Sequence, residues 1–242
     1  MAGAELERAV AAAYRSLGRQ LKQHNRHAVR IWNFVPRILD AGGDGLDRYM
    51  RFNAGRYKAF VEWFGDVERF GQAAPAASAV GHRGHDLSIH ILACRQPGVA
   101  IANPRQCPPH HYSARYGPMP PCFARARLVP APSAARFLMI GGTASVRGEE
   151  SVYTGNLTRQ LEETFQNLLA LLTAAFPEPS DNPLRHLHNL RVYYPRPDDL
   201  SEIRHACTVE LGGNLREEFI QAELCRSDLL VEVEGLAITT NR

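Results

Sequence analysis

The stretch that most constrains this chain is an apolar run that stops at a glycine pair and is followed by a long amphipathic stripe. It reads ARFLMIGGTASVRGEESVYTGNLTRQLEETFQNLLALLTAAF over residues 135–176. Phe137 to Ile140 has the unbroken hydrophobicity of a strand buried on both faces, and Gly141-Gly142 bounds it. Leu157, Leu161, Phe165, Leu168, Leu169, Leu172 and Phe176 then recur at spacings of three and four, which puts one apolar face on a helix. Pro177 and Pro179 close that helix, and Thr154 or Asn156 is placed to cap its start. The intervening Gly141 to Gly155 is polar, glycine-rich and too long for a tight turn. It lies at the strand's carboxyl end, where loops shape ligand pockets. A plain strand, loop and helix without a ligand explains the same pattern.

The rest of the chain alternates short strands with helices. Residues 1–27 predict a helix with a loose stripe of Leu6, Val10, Ala13, Leu17 and Leu21. Val29 to Leu39 predicts a strand, and Leu46 to Phe64 a helix broken at Gly55. Arg56 beside that break can aim a guanidinium at a ligand or simply face solvent. The small-residue stretch Gly71 to Gly84 reads as a connection between two units, 1–84 and 85–242. Strands follow at Leu87 to Ala93, with His90 expected as a hydrogen-bonded core residue, and at Val99 to Ala102. Five prolines bar Asn103 to Pro121 from helix or inner strand. In that loop Tyr112 and Tyr116 offer an apolar body with a polar tip to a cyclic substrate. Phe123 to Val129 predicts a strand with Arg125 and Arg127 on one face. Beyond the central helix come a strand at Leu190 to Tyr194, a short helix at Leu200 to Ala206, a turn at Gly212-Gly213-Asn214, and strands at Phe219 to Leu224 and Leu229 to Val233.

Glu232 and Glu234 lie two apart, hence on one face of the last strand. A carboxylate set into an apolar sheet either pairs with a cation or keeps its proton, and a kept proton is what a general acid near neutral pH needs. A solvated strand face gives the same spacing. Twenty-eight basic against 25 acidic residues leave a net charge of +3, too balanced to indicate nucleic-acid binding. No apolar run approaches the ~18 residues that span a bilayer, and the acidic start MAGAELERAV does not read as a secretion signal, so a cytoplasmic protein is expected. The five cysteines lack a C-x-x-C pair, and His110-His111 has no third ligand at a suitable spacing, so no metal or other cofactor is expected.

Six pieces in order resemble the chorismatases of the RidA (YjgF)-like superfamily. They are RIWNFVPRI at Arg30, RFNAGRYKAF at Arg51, NPRQ at Asn103, YGPMPPCFARA at Tyr116, GGTASVRGEES at Gly141 and ELCRSDLLVEVEG at Glu223. The resemblance implies an α+β fold, a mixed sheet packed on helices, with an incomplete N-terminal RidA-like unit, because family members carry a further N-terminal section. It implies a monomer with internal pseudo-symmetry or a small homo-oligomer. The implied activity is removal of pyruvate from chorismate without a cofactor, by protonation of the enolpyruvyl methylene. Glu232 matches the family's acid, with Glu234 the second choice. Arg125 and Arg56 match arginines that hold carboxylates, while Tyr112, Tyr116 and Asn103 fall in substrate-binding pieces. Gly142 and Cys225 look like the branch that forms 3-hydroxybenzoate rather than a dihydroxycyclohexadiene carboxylate. The alternatives are a RidA-like imine deaminase and a catalytically impaired ligand-binding relative.

Overall fold

Leu157, Leu161, Phe165, Leu168 and Leu172 do form one buried face of a helix, α4 (Leu157–Ala175). Asn156 is its cap, accepting a hydrogen bond from the Arg159 amide at 3.0 Å. Leu171 is fully buried and Leu169 only half so, which rotates the stripe slightly from the expected one. Each of these side chains contributes about 1.5–3 kcal/mol by leaving water. A Leu168→Ala cavity would therefore cost roughly 2–5 kcal/mol. The structure is a computed structural model that describes residues 3–131, 135–177, 182–212 and 215–240. Pro179, Gly213 and Asn214 lie outside the described residues.

The described residues form an α+β fold with two principal mixed sheets. The first packs under α1 (Gly3–Gln23) and α2 (Arg48–Phe64), with α3 (Phe70–Ala73) closing one end. Its strands β1 (His27–Pro36), β2 (Ala76–His82) and β3 (Ser88–Cys94) run in the order β2-β1-β3, parallel and then antiparallel. β3 lies beyond residue 84 yet pairs with β1, so the sheet draws on both sides of the expected connection. The second sheet carries α4 on its face. It contains β4 (Val99–Ile101), β5 (Ala126–Pro130), β6 (Ala135–Ala144), β9 (Leu187–Tyr194), β10 (Arg216–Gln221) and β11 (Glu232–Thr240) in the order β10-β9-β11-β6-β5-β4. The remaining strands, β7 (Val146–Arg147) and β8 (Glu150–Ser151), form a small hairpin before α4, and α5 (Leu200–Leu211) precedes β10.

Three sequence expectations need correction, each for a packing reason. The glycine pair does not end its strand: β6 continues to Ala144, and β7 and β8 occupy much of the expected loop. Gly141 is small because a Cβ there would come within 2.8 Å of the Ala77 carbonyl oxygen on β2. Two backbones cross closely, and glycine permits it. Gly55 does not break α2 either. A Cβ there would meet the Glu7 carbonyl oxygen at 2.4 Å and the Val10 Cβ at 2.8 Å, so this glycine lets α1 approach α2. Finally, Gly71 to Gly84 is no linker, since it contains β2, which pairs with β1 from Ala76 to His82. Its alanines are buried where the two sheets meet.

Candidate active site

β11 enters the second sheet between β6 and β9, with Glu232 opposite Ala144 on one neighbour and Tyr193 on the other. A carboxyl at the head of a central strand is removed from water, and Glu232 is only 4% exposed. Its Oε1 makes no hydrogen bond among the described residues. Burial pushes the carboxyl up to about 8, the negative Glu234 adds to this, and Arg30, Arg125 and Arg226 pull it back. Desolvation outweighs three cations here, so the group holds its proton at neutral pH.

Glu232 forms part of the wall of a cavity of about 330 Å³, a volume suited to a small molecule. Other side chains lining it are cationic and aromatic. Arg56, 1% exposed, bonds Asn53 Oδ1 at 2.8 Å and stacks on Phe52. A solvated surface arginine is thus ruled out. Arg125 donates to the Tyr112 hydroxyl at 2.5 Å and to the Cys107 carbonyl at 3.1 Å. Tyr112 and Tyr116 stand together, with ring centroids 5.3 Å apart. Cys225 lines the same space, its thiol pushed up to about 12 by burial and by Glu232. Gly142 is there for steric reasons: a Cβ would lie 2.2 Å from Glu232 Oε1. No side chain larger than hydrogen leaves the carboxyl where it is.

The structure therefore brings together Glu232, Arg125, Arg56, Tyr112, Tyr116, Gly142 and Cys225. Asn103 stands apart. It donates to the Asn167 carbonyl at 2.9 Å and accepts from the Arg105 amide, tying its loop to α4. Arg105 and Arg147 complete that tie on buried Glu163. Arg127 does not converge with Arg125: it donates to the carbonyls of Pro97, Gln72 and Ala74 and secures a chain crossing. His90 is exposed and meets Ser88 Oγ rather than the core. Glu234 faces away from the cavity into a cage of its own, taking bonds from Arg30, Trp32, Ser78, Arg191 and Tyr193.

Sequence reasoning missed Arg226 and Ser78. Arg226 lies 3.9 Å over the Tyr116 ring centroid and 5.4 Å over that of Tyr112, and donates to the Glu149 carbonyl and Ser151 Oγ. Its only signal was adjacency to Cys225 within a quoted piece. Ser78 sat in the stretch read as a linker. At the rim, Ser113 bonds Glu149 and Arg115 pairs with Glu150, which fastens the tyrosine loop to the β7–β8 hairpin.

A buried carboxyl that shares one small cavity with arginines suits acid catalysis on anionic substrates. The comparisons with known proteins specify the lineage. A family profile described as "Chorismatase FkbO/Hyg5-like, N-terminal" matches residues 2–93. A 3-hydroxybenzoate synthase of Streptomyces hygroscopicus is 34% identical over 239 residues, covering 95% of this chain and 69% of that protein. A chorismatase of the same organism is 33% identical over 218 residues, covering 86% of this chain and 60% of its own length. A chorismatase crystal structure superposes with a TM-score of 0.87 at 31% identity, covering 98% of this chain and 72% of the other. The chain belongs to the chorismatase family, and it spans roughly two thirds of the length of these relatives.

Proposed function

We propose that this protein is a chorismatase that releases pyruvate from chorismate and forms 3-hydroxybenzoate. The observation that carries the reading is Glu232: a buried carboxyl whose Oε1 has no partner among the described residues and whose affinity for its proton is raised by burial, lining a cavity shared with Arg56, Arg125 and Arg226. In the proposed reaction Arg125, Arg56 and Arg226 hold the substrate's two carboxylates through charge-assisted hydrogen bonds. Glu232 delivers its proton to the enolpyruvyl methylene, which becomes the methyl group of pyruvate. The positive charge that develops on the adjacent ether carbon is taken up when the ring's own hydroxyl oxygen attacks it. The attacking oxygen then leaves the ring as the carbonyl oxygen of pyruvate, while the original ether bond opens and keeps the other oxygen on the ring as the phenol. Loss of the C–H proton at that ring carbon aromatises the ring. Of this proton and the one from the attacking hydroxyl, one goes to the phenol oxygen and one back to Glu232. The sum consumes no water, because 3-hydroxybenzoate and pyruvate together have the composition of chorismate. Cys225 and Gly142 border the acid, and both resemble the branch of the family that forms 3-hydroxybenzoate.

Among the described residues no group of three potential ligands could hold a metal ion, and no helix is long and apolar enough to cross a membrane. A cofactor-free reaction is part of the proposal. Chromatography after incubation with chorismate tests the function. Equimolar pyruvate and 3-hydroxybenzoate are expected. A dihydroxycyclohexadiene carboxylate would move the protein to the hydrolytic branch, and unreacted chorismate would overturn the assignment.

A further inference from the structure

Glu234 is two residues from the proposed acid, yet its surroundings are the reverse of those around Glu232. It borders a second cleft of about 250 Å³, on which Arg30, Trp32, Arg191 and Glu218 also open. Arg30 Nη2 reaches Glu234 Oε2 at 2.5 Å, and Trp32 Nε1, Arg191 Nη1 and the Tyr193 hydroxyl reach Oε1 at 2.9–3.1 Å. Ser78 accepts from Arg30 at 2.9 Å and gives its single hydroxyl proton to Glu234. That commitment matters because Ser78 also lies beside Glu232. A Cβ built on Gly142 would be 2.2 Å from Glu232 Oε1 and 3.4 Å from the Ser78 Cβ. Arg30 is likewise close enough to act on both carboxyls. Glu234 thus engages a donor and a cation that also lie near Glu232, whose Oε1 has no partner among the described residues.

The remaining charges around Glu232 do not replace them. Arg125, at the start of β5, is engaged with Tyr112 and Cys107, and Arg226, in the loop before β11, with Glu149 and Ser151. Cys225 from that loop is a neutral thiol. Arg56, Asp47 and Tyr49 of the α2 segment and Asp228 line the rest of the cavity.

We propose that Glu234 is a positioning residue that, with Arg30 and Ser78, keeps Glu232 as the neutral acid by drawing nearby donors onto itself and fixing a negative charge beside it. The inference rests on the chorismatase reading for its catalytic consequence. In Glu234→Gln the fixed charge disappears and Arg30 and Ser78 become available to Glu232, both of which favour its carboxylate. The descending alkaline limb of kcat/KM therefore moves down by about one pH unit, which is a tenfold lower rate above that limb. At pH 6 the rate stays within about threefold of wild type, since the acid is protonated in both enzymes. Arg191→Met, at a half-exposed site, removes a cation from the cage and moves the limb to higher pH. A Glu234→Gln enzyme slowed by one factor at every pH, or an Arg191→Met limb that stays put or moves to lower pH, would overturn the proposal. Carboxyl carbon NMR titration of Glu232, assigned by its disappearance in Glu232→Gln, reads the same shifts without turnover. A wild type inert to chorismate would thus sink the function while this titration still decides the role of Glu234. If Glu234→Gln fails to fold, the direction of the Arg191→Met shift decides.

Discussion

The floor of the cavity and its rim are built on different physics. On the floor, Glu232, Gly142 and Ser78 come from strands that cross at van der Waals distance, with Glu232 and Ser78 buried and Gly142 half-buried. At the rim, Tyr112 and Tyr116 ride on a proline-rich loop fastened to a hairpin by Ser113 to Glu149 and Arg115 to Glu150, with Ser113, Arg115 and Glu150 exposed and Glu149 half-buried. A floor residue has no solvent to absorb a change, so one added methyl moves the reacting group. Rim contacts exchange with water, and an exposed ion pair is worth about 0–1 kcal/mol. The proposed proton donor lies on the floor, where its environment is fixed, and the tyrosines on the rim, where contacts exchange with water.

Substitutions that break this contrast should fall in a definite order. The largest effect is expected for Glu232→Gln, which keeps shape and removes the acid: pyruvate release from chorismate falls by roughly 10²–10⁴-fold. Stability should move the other way. The folded carboxyl is raised above its ordinary value to about 8, so its contribution is fullest in acid and is lost as pH rises through the folded value. Melting curves between pH 6 and 9 should show Glu232→Gln gaining on wild type as the pH increases. Next comes Gly142→Ala. Its methyl occupies the place of Glu232 Oε1, and a displacement on the order of 1 Å costs about 10²-fold in kcat, measurable by steady-state kinetics. Arg226→Ala follows, losing one charged hydrogen bond to substrate; KM should rise roughly tenfold or more while kcat changes little. The smallest effect is expected for Arg115→Ala, which breaks an exposed rim ion pair with Glu150 and whose KM and melting temperature should stay near wild type. An Arg115→Ala loss as large as that of Gly142→Ala would erase the distinction between floor and rim.

How much of this could be read from the sequence divides along the same line. The stripe of α4 was legible because helical periodicity is local, and its cap was narrowed to Thr154 or Asn156, of which the fold uses Asn156. Glu232 was legible as a strand carboxyl, and the resemblance to chorismatases selected it over Glu234. The cage around Glu234 was not legible, since its donors Arg30, Ser78 and Arg191 are contributed by three other strands far away in the chain. Nor was β2: a run of Ala, Ser and Gly reads as a linker by composition, whereas here smallness serves the close crossing with β6. Gly141 and Gly55 misled for the same reason, because a glycine that admits a neighbour and one that ends an element look alike in one dimension. Arg226 carried no periodic signal at all, and only the fold lays it across Tyr116.

A pH profile of kcat/KM for chorismate tests most directly whether a buried, protonated Glu232 is the working group. A rate that is flat through neutrality and falls tenfold per unit above about pH 8 is the expected result. A limb near the ordinary carboxyl value, or undiminished turnover at still higher pH, would show that the proton comes from elsewhere.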